Sequence, residues 1–129
     1  MNFRKLNTAT ILATIILCLF GLPNVAISET SPIQQMSIIT AHINHFPTDS
    51  DKETLKMIGS NMTGDAENKA LAKALINMKH SITATDKTAL EMLLTDDSVS
   101  AAAKSLANIL LGINHKPSAE DLEILGKLM

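Results

Sequence analysis

His45-Phe46-Pro47-Thr48-Asp49-Ser50-Asp51-Lys52-Glu53-Thr54-Leu55-Lys56-Met57-Ile58 carries a pattern, His-x-x-(Thr/Ser)-x-x-Asp-x-x-x-Leu-x-x-(Ile/Leu), that recurs twice more in this chain, beginning at His80 and at His115. The columns line up without a gap: His45, His80 and His115; Thr48, Thr83 and Ser118; Asp51, Asp86 and Asp121; Leu55, Leu90 and Leu125. Each column advances by 35 residues. A fixed period of this size marks stacked supersecondary units and decides the architecture ahead of any propensity count.

Outward from the quoted stretch, each unit reads as a helix, a tight corner and a second helix. Upstream, Met36, Ile39, Thr40 and Ile43 fall on one face of a helix; Leu71, Ala74, Leu75 and Met78 repeat that face, and so do Leu106, Ile109, Leu110 and Ile113. Ser31, Pro32 and Gln34 open the first helix as cap, first-turn proline and capping-box partner. At the corner, Pro47 and Pro117 stop the preceding helix, with Ile82 in the middle unit. Thr48, Thr83 and Ser118 then cap the second helix, and Asp51, Asp86 and Asp121 close the capping box at N3, each cap contributing about 1 kcal/mol.

The second helices are predicted over Asp49–Asn61, Ala84–Thr95 and Ala119–Leu128, with Asp65 and either Asp97 or Ser98 starting the units that follow. The expected fold is all-α: three tandem helix-corner-helix repeats, about 30–64, 65–99 and 100–129, in a short α-solenoid or compact helical array of six helices. A linear stack would leave apolar ends that could pair with a second copy.

The first 28 residues read differently. Arg4 and Lys5 precede an apolar run from Ala9 to Leu22, and Ala26-Ile27-Ser28 offers small residues for cleavage. This is the pattern of a secretory signal peptide, which predicts export to the periplasm or the extracellular space and only transient membrane contact. The remainder, 29–129, is one domain's worth of chain. It holds no cysteine, Cys18 being the only one, so packing alone must stabilise it.

Of 11 basic residues, Arg4 and Lys5 leave with the leader; nine lysines then face all 13 carboxylates, for a net charge of −4. Phe46 is the only aromatic residue after the leader. Phosphate backbones call for clustered cations, and single strands for aromatic platforms, so nucleic acid is not an expected partner.

The histidine column is the candidate for chemistry. On a regular stack, helices lie about 8–10 Å apart, which puts His45, His80 and His115 too far apart for one ion. The only close pair is then His42 with His45, three residues apart on one helix, as a candidate copper or zinc site. The structural reading places each histidine in the last turn of a first helix, bonded across the corner to Asp51, Asp86 or Asp121. The methionines are read as fillers of a core that lacks large aromatics. No nucleophile context stands out, so the expectation is a non-enzymatic exported module with no cofactor. It would bind a protein or peptide; the alternative is a copper- or zinc-binding protein.

Overall fold

The computed structural model describes residues 29–129; the predicted leader lies outside the described residues. The described chain is all-helical, with six helices and no named strand: α1 Pro32–His42, α2 Asp49–Ser60, α3 Ala66–Asn77, α4 Ala84–Thr95, α5 Ala101–Gly112 and α6 Ala119–Leu128. Among them, no helix is long and apolar enough to cross a membrane.

The capping chemistry explains where the helices begin. Ser31 and Gln34, Thr48 and Asp51, and Ser118 and Asp121 form reciprocal capping boxes at α1, α2 and α6. Thr83 accepts from the Asp86 N–H at α4, but the Asp86 carboxylate does not return the bond to the Thr83 backbone. It accepts instead from Asn77 Nδ2 at 3.0 Å and Thr83 Oγ1 at 2.7 Å. Asp65 stands at the N-cap of α3 without a side-chain bond. The cap of α5 is Ser100, not Asp97 or Ser98. Ser98 is occupied in a turn with Asp96 Oδ1, whose two bonds from Ser98 hold that carboxyl below its ordinary value.

The core is built from the predicted columns. Met36, Leu71 and Leu106 are fully buried, as are Leu55, Leu90 and Leu125. Ile43, Met78 and Ile113 close it beneath the corners. Each such side chain contributes roughly 1.5–3 kcal/mol on burial. Met36 and Met78 fill the core as expected, but Met57 and Met92 are each 66% exposed and Met62 and Met129 lie outside as well. The Met57 and Met92 columns face solvent because Leu55 and Ile58 or Leu90 already supply the inward stripe of α2 and α4.

The three first helices, α1, α3 and α5, pack against one another pairwise. Helix α1 also packs on α6, and Gln34 Nε2 donates to the Met129 carbonyl at 2.8 Å. The ends that a linear stack would leave open therefore meet each other. This closure brings the three corners to one end of the α1–α3–α5 core.

Candidate metal centre

His45, His80 and His115 lie in the corners, three residues beyond the ends of α1, α3 and α5. They are not in the last helical turn, the position expected from the sequence. The corners are tied by backbone bonds: the His115 N–H donates to the His80 carbonyl at 2.7 Å, and the His45 N–H to the His115 carbonyl at 2.6 Å. His45 and His115 have φ of 77° and 70°, in the left-handed region that non-glycine residues seldom occupy. Each costs about 1–2 kcal/mol of local strain, which the surrounding packing and backbone bonds must offset.

The three rings converge. Their centroids are separated by 5.2 Å for His45 and His80, and by 4.9 Å for His115 with either neighbour. One ring nitrogen from each lies within 4.8 Å of the others. The expectation that these residues stand too far apart for one ion is thus overturned. That separation assumed translation from unit to unit, whereas α1, α3 and α5 group around a common centre.

The carboxylate lock is overturned as well. Asp51 Oδ2 bonds Thr48, Asp86 Oδ2 bonds Asn77 and Thr83, and Asp121 Oδ2 bonds Ser118. The aspartates serve the helix starts while the imidazoles turn toward one another. The structure does not bear out the pairing of His42 with His45 either: His42 ends α1, its Nδ1 bonds the Ile38 carbonyl at 2.8 Å, and it is not part of the cluster.

Comparison with protein-family models, with curated proteins and with solved structures gave no match. The chemistry of the site must then be read from its own geometry. Zinc–imidazole bonds of about 2.0–2.1 Å in a tetrahedral set put nitrogens roughly 3.4 Å apart. Nitrogens within 4.8 Å of one another need to draw in by about an ångström, which side chains can do by turning about χ1 and χ2. His80 and His115 are exposed and His45 is half-buried, so solvent reaches the cluster.

A groove of about 760 Å³ lies elsewhere, lined in part by Ile38, Ile39, Met57, Ile58 and Asn68. It is separate from the histidine cluster, with which it shares no lining residue.

Proposed function

We propose that this protein is an exported module of three duplicated helical pairs, closed on themselves, that holds a divalent transition-metal ion through His45, His80 and His115. The observation that carries the reading is the convergence of one ring nitrogen from each histidine to within 4.8 Å. Imidazole suits both zinc and copper. Three protein ligands leave a tetrahedral ion one position for water or an exchanging ligand. The backbone strain at His45 and His115 supports the same reading, because non-glycine residues held in this region cluster at functional sites.

Calorimetric titration with zinc and with copper(II) tests it. The expected result is one ion per chain bound more tightly than about 10 μM, with a clear loss in each of His45→Ala, His80→Ala and His115→Ala and none in His42→Ala. No saturable binding of either ion, or full binding after loss of His80, would remove the reading.

The protein- or peptide-binding reading retains one supporting observation, the exposure of Met57 and Met92 at equivalent positions on α2 and α4. Flexible thioether side chains on a surface accommodate varied apolar partners. A partner captured equally well after Met57→Ala and Met92→Ala would count against that surface.

A further inference from the structure

The three ligands are not equivalent, and the difference lies one residue upstream. Asn44 precedes His45 and Asn114 precedes His115, but Lys79 precedes His80. Asn44 Oδ1 is 2.9 Å from Nδ1 of His45, and Asn114 Oδ1 is 2.6 Å from Nδ1 of His115. Among the described residues no such bond is made by the His80 ring, and His80 is not among the positive-φ residues. Resting on the metal-binding reading above, we propose that Asn44 and Asn114 are positioning residues: they hold the hydrogen on Nδ1 of His45 and His115, leave the Nε2 lone pairs for the ion, and make His80 the ligand that moves.

A neutral imidazole carries one N–H and one lone pair, so whatever bonds one nitrogen decides what the other can do. With an amide oxygen as acceptor, Nδ1 is the donor and Nε2 is the free base. Metal-binding histidines use such an outer partner, a carboxylate or carbonyl oxygen, to fix tautomer and ring direction. Here the partner is the adjacent side chain, and the left-handed backbone at His45 and His115 accompanies it in both places. Two imidazoles are therefore held ready, and the third closes on the ion after capture.

Long-range ¹H–¹⁵N correlation NMR on the metal-free protein reads the tautomers directly. His45 and His115 are expected as Nδ1–H, and His80 as Nε2–H, the form that free histidine side chains prefer. Asn114→Ala should return His115 alone to Nε2–H, and Asn44→Ala should do so for His45. Asn114→Asp, which keeps an acceptor oxygen, should keep Nδ1–H. Zinc affinity should fall about 10–100-fold in each alanine variant and be retained in Asn114→Asp. Nε2–H at His45 and His115 in the unaltered protein, or tautomers unmoved by the alanine changes, would overturn the proposal. The NMR result is decided without any ion, so the expected tautomers together with no zinc binding would remove the metal reading while the positioning role stood.

Discussion

The backbone N–H of His115 donates to the carbonyl of His80 at 2.7 Å. This bond joins the second corner to the third, and its counterpart from His45 to the His115 carbonyl joins the third to the first. Two hydrogen bonds thus link three corners that are distant in sequence, and the imidazoles they carry face one centre.

Asp86 should couple to Asn77 and not to His80. Its buried carboxylate accepts from Asn77 Nδ2 and Thr83 Oγ1. Asp86→Ala is expected to cost about 1–3 kcal/mol in urea unfolding, since it leaves partly buried donors without an acceptor. The double variant with Asn77→Ala should be non-additive by at least about 0.5 kcal/mol, whereas the double variant with His80→Ala should be additive within about that margin.

Glycine and alanine should rank in opposite orders along the histidine column. At His45 and His115 the positive φ penalises any Cβ, so His45→Gly should be more stable than His45→Ala by about 1 kcal/mol, and likewise at His115. At His80, where φ is not positive, His80→Ala should be the more stable by about 0.4–1 kcal/mol through the unfolded chain. Denaturant midpoints of the six variants check this.

Core and surface columns should separate sharply. Leu71→Ala and Leu106→Ala remove fully buried side chains and are expected to cost about 2–5 kcal/mol each. Met57→Ala and Met92→Ala alter two-thirds-exposed side chains and should change stability by less than about 0.5 kcal/mol.

Zinc should stabilise the folded chain by mass action. At a free concentration one hundred times Kd the gain is about 2.7 kcal/mol. Thermal unfolding should show a raised Tm that chelator reverses, and His80→Ala should diminish the shift at the same zinc concentration.

The helices were legible in the sequence because caps and apolar columns are local signals. Thr48 with Asp51, and Leu55 with Ile58, mark α2 whatever lies around them. The histidine centre was not legible, because it depends on how the pairs are arranged in space. A period of 35 is compatible with translation along a stack and with rotation about a shared centre. Only the second arrangement brings His45, His80 and His115 together. A usable signal was nevertheless present: the same imidazole stood in all three corners, and Asn44 and Asn114 preceded two of them. The exposure of Met57 and Met92 was hidden for a related reason, since a column mate on a helix is as regular outside as inside.

X-ray absorption at the zinc edge, on protein loaded with one equivalent, tests the central claim most directly. Three imidazoles at about 2.0 Å plus one oxygen ligand are expected, falling to two imidazoles in His80→Ala. A shell of one imidazole with oxygens, or a spectrum that His80→Ala leaves unchanged, would contradict it.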